Sequence, residues 1–172
     1  MITNRLRGEK LDLCIDLGCG TGILGIHLLC SNICNKTVFV DIDKDALNTT
    51  HYNLYHTKLF PRALLILTEN AYSLFEENAD LVVANPPYLP GTPIYHLDHT
   101  VVSGPIGYER PLLFIATAYK LLKRSGILYL VYSSLSNADV IEAYLKKFFD
   151  IRYKTTKRFF YEELYGVEAI KK

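Results

Sequence analysis

The sequence lacks an excess of either charge. Lys and Arg number 19 against 18 Asp and Glu, a formal net charge of +1, so no global field draws the chain to nucleic acid. No apolar run approaches the roughly 20 residues that span a bilayer. No charged segment followed by an apolar stretch opens the chain, so no secretory signal is visible. Internal repeats and low-complexity segments are missing too. Cysteine is scarce and confined to Cys14, Cys19, Cys30 and Cys34. Cys30 and Cys34 have helical spacing, but no second Cys/His pair completes a zinc site. The expectation is four reduced thiols in an intracellular, cytoplasmic protein with no bound metal. What is present is apolar: 49% of the 172 residues are hydrophobic, which excludes disorder and supports one domain with a sizeable core.

The most informative stretch is Asn85-Pro86-Pro87-Tyr88. It follows Ala79-Asp80-Leu81-Val82-Val83-Ala84, which reads as a buried strand. Two prolines stop that strand, and the first biases Asn85 toward an extended backbone. Asn85 is thereby placed at a strand's carboxyl end, where open α/β sheets bind ligands. Its side chain offers one acceptor oxygen and two donor hydrogens. Together with the Pro86 carbonyl it can accept hydrogen bonds from a planar –NH2 group, which the Tyr88 ring can cover.

Around this stretch the chain alternates. Leu11 to Leu17 reads as strand 1, and Gly22 to Cys30 as a helix with a broad apolar face. Lys36 to Val40 is a second strand ending at Asp41. Asp43 is positioned as the N-cap of a helix running to about Tyr55. Ala63 to Leu67 is a third strand, and Ala71 to Asn78 a short helix or turn. Leu89 to Pro105 is a long loop punctuated by Pro and Gly. Leu112 to Leu122 is helical, with Gly126 as its stop. Ile127 to Tyr132 is strand 5, and Asn137 to Phe149 an amphipathic helix. Ile151 to Phe160 and Leu164 to Ile170 are the last two strands and follow each other directly. This order predicts a mostly parallel sheet ending in an antiparallel hairpin.

A second motif, Asp16-Leu17-Gly18-Cys19-Gly20-Thr21-Gly22, leaves strand 1 and enters a helix. Glycines there permit a tight turn and close approach of a ligand to the backbone. Gly20, Gly22 and Gly25 also fit the dinucleotide spacing, so a nicotinamide enzyme must be weighed. Asp41, about twenty residues on, suits a ribose diol in either case. Asp16 favours S-adenosylmethionine, because a carboxylate beside the turn repels a pyrophosphate but pairs with a cationic sulfonium–amino-acid ligand.

Taken together, the two motifs resemble the class I S-adenosylmethionine-dependent methyltransferases that act on planar or exocyclic nitrogens. The run Ala79 to Leu89 is most similar to the HemK family, which methylates the glutamine of peptide-chain release factors. The ending Phe160-Tyr161-Glu162-Glu163-Leu164 resembles its archaeal and eukaryotic branch. The resemblance covers the chain from about Leu11 to its end. It implies a Rossmann-like α/β fold: a seven-stranded, mostly parallel sheet with an antiparallel C-terminal hairpin and helices on both faces.

The resemblance also implies roles. Asp16, Gly18 and Gly20 would hold the methionine moiety, within a cofactor-binding stretch that includes Cys19, Thr21 and Gly22. Asp41 would bind the ribose hydroxyls and Ile42 would pack on the adenine. Asn70 stands where the family often has an acidic residue near the adenine amine. Asn85 and the Pro86 carbonyl would bind the substrate –NH2, flanked by Pro87 and Tyr88, with Asn85 also bordering the cofactor. The family usually carries a Glu-Pro and Glu-Asp-Thr segment ahead of strand 1, and nothing in Met1 to Lys10 matches it; the expectation is one domain over residues 1–172 without that segment.

The implied partners are a release factor as protein substrate and a small zinc-binding activator protein at the edge of strand 63–67, with a homodimer as the alternative there. The alternative activity is adenine- or guanine-N-methylation of RNA or DNA. It needs a base turned out of its stack and usually a strongly basic groove, which the charge balance does not supply. A partner scaffold with a decayed pocket is a third reading, opposed by the intact Asp16, Asp41 and Asn85. His96, Asp98 and His99 fall in the long loop and read as solvated or substrate-facing side chains rather than metal ligands. Lys146, Lys147, Arg152, Lys154, Lys157 and Arg158 read as a solvated basic face with carboxylates nearby, ahead of an RNA contact.

Overall fold

The computed structural model describes residues 5, 6, 8–71, 77–92, 94, 95 and 100–172. The elements run β1 (Leu11–Leu17), α1 (Ile23–Cys30), β2 (Cys34–Asp41), α2 (Lys44–Thr57), β3 (Ala63–Leu67), β4 (Ala79–Ala84), β5 (Leu89–Pro90), β6 (Val102–Gly104), α3 (Glu109–Leu121), β7 (Leu122–Ser133), α4 (Ala138–Phe148), β8 (Phe149–Arg158) and β9 (Glu163–Lys171). Seven strands form one sheet in the order β3-β2-β1-β4-β7-β9-β8. The first five are parallel, and β9 runs antiparallel to both β7 and β8. The expected mixed sheet with its terminal hairpin is therefore present.

All six residues of β4 are buried, as a central strand covered on both faces requires. Alternate side chains go to opposite faces. Val82 and Ala84 join Ile15, Val38, Ile115 and Ile141 in one core beneath α3 and α4. Leu81 and Val83 join Cys14 and Leu28 on the α1 side, where Leu29, Phe39, Leu47 and Leu54 extend the core under α2. Helices on both faces follow from this two-sided burial. After β1 the chain moves outward through β2 to β3, then returns to place β4 on β1's other side. That reversal opens a crevice at the carboxyl ends of β1 and β4.

Local chemistry sets several boundaries. Asp43 caps α2 as expected, its side chain accepting the Asp45 N–H at 2.9 Å. Asp80, the one charged residue of β4, accepts the N–H groups of Asp12 and Leu13 at 2.8 and 2.9 Å and pairs with Lys123. Burial opposes its charge, but those partners outweigh it and hold the carboxyl below its usual range.

Three expectations are corrected. Gly126 does not stop α3: the helix ends at Leu121, Leu122 is already extended, and Gly126 lies inside β7. A side chain there would come within 2.9 Å of the Lys123 carbonyl, so the glycine serves a tight irregularity of the strand. The stretch from Leu89 to Pro105 is not wholly loop, since β5 and β6 pair within it. Cys14 and Cys34 are joined as a disulfide rather than held as thiols, leaving Cys19 and Cys30 free. The adjacent strands β1 and β2 bring their Cα atoms to 6.1 Å, a spacing a disulfide spans. The expected helix or turn over Ala71 to Asn78 and the group His96, Asp98 and His99 lie largely or wholly outside the described residues.

Candidate active site

The crevice is a cleft of about 930 Å³. Its floor is the turn between β1 and α1. Gly18, Gly20 and Gly22 have φ of 67°, 55° and 77°, left-handed values that side-chain-bearing residues seldom adopt. The Phe114 ring lies so close over Gly18 that an added Cβ would meet it at 2.8 Å. Gly18, Cys19, Gly20 and Thr21 line the cleft; Gly22 begins the helix behind them, donating its N–H to the Cys19 carbonyl at 2.8 Å. Gly25 faces inward, where a Cβ would sit 2.4 Å from the Phe39 ring, so its role is close packing of helix on sheet.

Two aspartates brace this floor differently. Asp16 is buried beneath the turn, away from the cleft surface, and its Oδ2 accepts the Gly25 N–H at 2.8 Å. Burial pushes its carboxyl up to about 7; the Gly25 bond works against that rise and nearby Asp41 adds to it. Asp41 lines the cleft from the end of β2. Its Oδ2 accepts the Gly20 N–H at 2.8 Å and its Oδ1 the Asp43 N–H at 3.0 Å. Ile42 follows on the wall, more than half exposed. The Cys19 thiol is pushed up to about 12 by burial and contacts the Thr50 hydroxyl at 3.6 Å, so it is an inert wall group.

Asn85, Pro87 and Tyr88 line the opposite side, while Pro86 is buried behind them. The Asn85 side chain makes no hydrogen bond among the described residues, so its acceptor and donors are open to the cleft. The tetrapeptide is held from outside. The Ser136 hydroxyl donates to the Tyr88 carbonyl at 2.8 Å, and Gly107 packs against that carbonyl. Glu109 in turn accepts the Ile106 and Gly107 N–H groups at 3.1 and 2.8 Å. Burial, with Glu162 nearby, raises the Tyr88 phenol above its ordinary value, so the ring stays neutral.

Asn70 does not line the cleft, although Thr68, Glu69 and Ala71 do; its N–H donates to the Thr68 hydroxyl at 3.0 Å. The carboxylate at this end is Glu69, one residue earlier than expected. The sequence predicts α3 but not that one of its faces lines the cleft. Arg110, Leu113, Phe114 and Thr117 line the cleft, and their spacing of three, four and seven is one helix face. An arginine on that face was the available signal.

The Methyltransferase small domain family matches residues 2–161 of this chain, and the chain belongs to it. A ribosomal RNA small subunit methyltransferase C from Mannheimia succiniciproducens is 31% identical over 90 residues, 52% of this chain and 25% of that protein. A ribosomal protein uL3 glutamine methyltransferase from Francisella tularensis is 29% identical over 128 residues, 69% of this chain and 39% of that protein. This chain thus spans well under half the length of these curated relatives. The E. cuniculi Mtq2–Trm112 complex, responsible for methylation of the eRF1 translation termination factor, shares the fold with a TM-score of 0.74 over 99% of this chain and 92% of that one, at 21% identity. The fold is the class I Rossmann-like methyltransferase fold, and the cofactor is S-adenosylmethionine rather than a nicotinamide.

The residues present fit that cofactor. The bare backbone of Gly18 to Thr21 would give close approach to a methionine portion, Asp41 keeps lone pairs that would take ribose hydroxyls, and exposed Ile42 would give an apolar face to an adenine. When bound, S-adenosylmethionine supplies a methyl carbon activated by its sulfonium. No helix among the described residues is long and apolar enough to cross a membrane.

Proposed function

We propose that this chain is a cytoplasmic protein-glutamine N-methyltransferase and that its substrate is a peptide-chain release factor. The observation that carries the reading is the Asn85 side chain, unbonded among the described residues and open to the cleft at the end of β4, beside Pro87 and Tyr88. The F. tularensis glutamine methyltransferase and the E. cuniculi Mtq2–Trm112 complex, responsible for methylation of eRF1, support it.

An amide nitrogen is a poor nucleophile because its lone pair is delocalised. Hydrogen bonds from its N–H groups to Asn85 Oδ1 and the Pro86 carbonyl favour a pyramidal nitrogen with that lone pair aimed into the cleft. Tyr88 covers the amide plane. S-adenosylmethionine held by Gly18 to Thr21, Asp41 and Ile42 would supply the methyl group to this nitrogen, which would give up its proton to water. Positioning and electrostatics supply most of the acceleration. No general base is demanded before transfer. Gly18, Cys19, Gly20, Thr21, Asp41, Ile42 and Asn85 form the cofactor side of this reading, with Asp16 and Gly22 supporting the turn from behind and Glu69, in place of the off-cleft Asn70, as the acidic group nearest the expected adenine position.

The exposed strand β3 extends the reading to a partner. It is the outermost parallel strand, it carries no charge or proline, and Leu64 and Leu67 are more than half exposed. An unguarded apolar edge of this kind invites pairing with another chain. The Trm112 partner of the E. cuniculi protein supports a small zinc-binding activator there, with self-pairing as the alternative.

The second reading, methylation of an adenine or guanine in RNA or DNA, is favoured by the ribosomal RNA methyltransferase relatives. The basic C-terminal residues weaken it, since Lys146, Lys154 and Arg158 are already paired with Glu142 or Glu163. Transfer of labelled methyl from S-adenosylmethionine to purified release factor, compared with bulk RNA, decides between them. The expected result is label on a release-factor glutamine; label on RNA alone contradicts the proposal.

A further inference from the structure

The connection between β8 and β9 carries three adjacent aromatic residues that the fold does not bury. Phe159 is half exposed, and Phe160 and Tyr161 are 90% and 85% exposed. Their exposure is not that of a loose loop. The Phe159 N–H donates to the Glu162 carbonyl at 2.8 Å, and the Phe160 and Tyr161 rings meet edge to face at 4.7 Å. The Ser133 hydroxyl donates to Glu162 Oε2 at 2.8 Å, and the Glu163 N–H donates to the Ser134 hydroxyl at 3.0 Å. The tip is therefore pinned to the short helical turn Ser134–Ser136 that follows β7.

That turn is pinned to the active site. Ser136 donates to the Tyr88 carbonyl, and Gly107 packs against both Tyr88 and Ser136. Two more exposed apolar side chains, Ile106 and Leu135, stand on these same segments. An apolar arc thus borders the cleft at its Tyr88 end. It is close to neutral: Lys157 and Arg158 are matched by Glu162 and Glu163, and Arg158 pairs with Glu163 at 2.8 Å. A hollow of about 330 Å³ between the tip and Ser134 can take one side chain of a bound partner.

We infer that the arc of Ile106, Leu135, Phe159, Phe160 and Tyr161 beside Tyr88 is the docking surface for the folded body of a release factor, outside the segment that carries its amide side chain into the cleft. The inference rests on the protein-amide reading of the site and adds to it where the substrate is gripped. Continuity with the cleft fixes the occupant's position, because the segments that carry the arc are joined to Tyr88 through Ser136 and Gly107. The charge balance fixes its chemistry. A nucleic acid binds chiefly through phosphates that need clustered, unpaired cations, whereas exposed, rigid aromatic anchors are the groups that dominate protein–protein recognition.

The test is the double variant Phe160→Ser/Tyr161→Ser, with Leu135→Glu on the adjoining Ser134–Ser136 turn as a second variant. Each is compared with the unmodified enzyme on intact release factor, on a short glutamine peptide from its methylated loop, and on bulk RNA. S-adenosylmethionine affinity and thermal melting report folding. The expected result is a KM for intact release factor raised tenfold or more, with kcat, cofactor affinity and turnover of the short peptide unchanged. Unchanged KM in both variants overturns the docking surface while leaving the reading of the site standing. Equal losses on protein and peptide overturn it as well, because the residues then act at the cleft. An unmodified enzyme that methylates RNA and not release factor overturns the reading of the site, and the docking surface falls with it.

Discussion

The carboxylate of Asp41 accepts the N–H of Gly20 at 2.8 Å, fastening the end of β2 to the turn that follows β1. One side chain therefore both shapes the floor of the cleft and lines it. Asp41→Ala removes the ribose acceptor and frees the Gly20 turn. Losing hydrogen bonds to a charged group costs about 1.5–3 kcal/mol, so calorimetry should show S-adenosylmethionine affinity falling by at least tenfold. Asp41→Asn, which keeps the shape and one acceptor oxygen, should lose less. Equal affinity in all three proteins would show that the cofactor does not use this carboxylate.

Asp16 predicts a pH dependence of cofactor binding. Burial raises its carboxyl to about 7 in the folded protein, above its unfolded value near 3.8. A raised acid stabilises the fold least when it must ionise. Its contribution is therefore lost as pH rises from about 4 to about 7. A cationic ligand in the cleft favours the carboxylate and so displaces its proton. Cofactor affinity should rise about tenfold between pH 6 and pH 8, with proton release visible as a buffer-dependent binding heat. Asp16→Asn should abolish both effects while keeping an acceptor for the Gly25 N–H. A flat affinity with no proton release would contradict this role.

The apolar edge of β3 predicts assembly. Leu64→Lys with Leu67→Lys places charge on the two exposed positions, which guards an edge strand. Light scattering after co-expression with a small zinc-binding activator should show a complex with the unmodified chain and none with the variant, cofactor binding being retained. A chain that stays monomeric alone and with the activator, with fast amide exchange along Ala63 to Leu67, would sink the prediction.

The parts of this molecule legible in its sequence are those fixed by local covalent restriction or by short-range pattern. Two prolines after an apolar run end β4 where expected, the glycines after β1 adopt the left-handed values a tight turn needs, and Asp43 caps α2. The illegible parts depend on register between distant segments. The Cys14–Cys34 disulfide needs β1 and β2 side by side. Arg110 and Phe114 reach the cleft only because α3 packs across the sheet. The partner of Asp16 is the Gly25 N–H, which places that aspartate beneath the turn. Gly126 looked like a helix stop because a glycine after a basic last turn usually is one, yet α3 passes directly into β7.

The central claim is that Asn85 holds the reacting nitrogen, and single-turnover methyl transfer to release factor at saturating S-adenosylmethionine tests it most directly. Removing one positioned group of this kind costs about 10²–10³ in rate, so Asn85→Ala should slow the chemical step by that factor while cofactor affinity and the thermal melt stay close to those of the unmodified protein. Asn85→Asp keeps an acceptor but sets a charge facing the sulfonium; it stabilises the ground state, so cofactor binding tightens while the rate still falls. Near-unmodified turnover in Asn85→Ala would contradict the account and reduce the Asn85–Tyr88 segment to a structural turn.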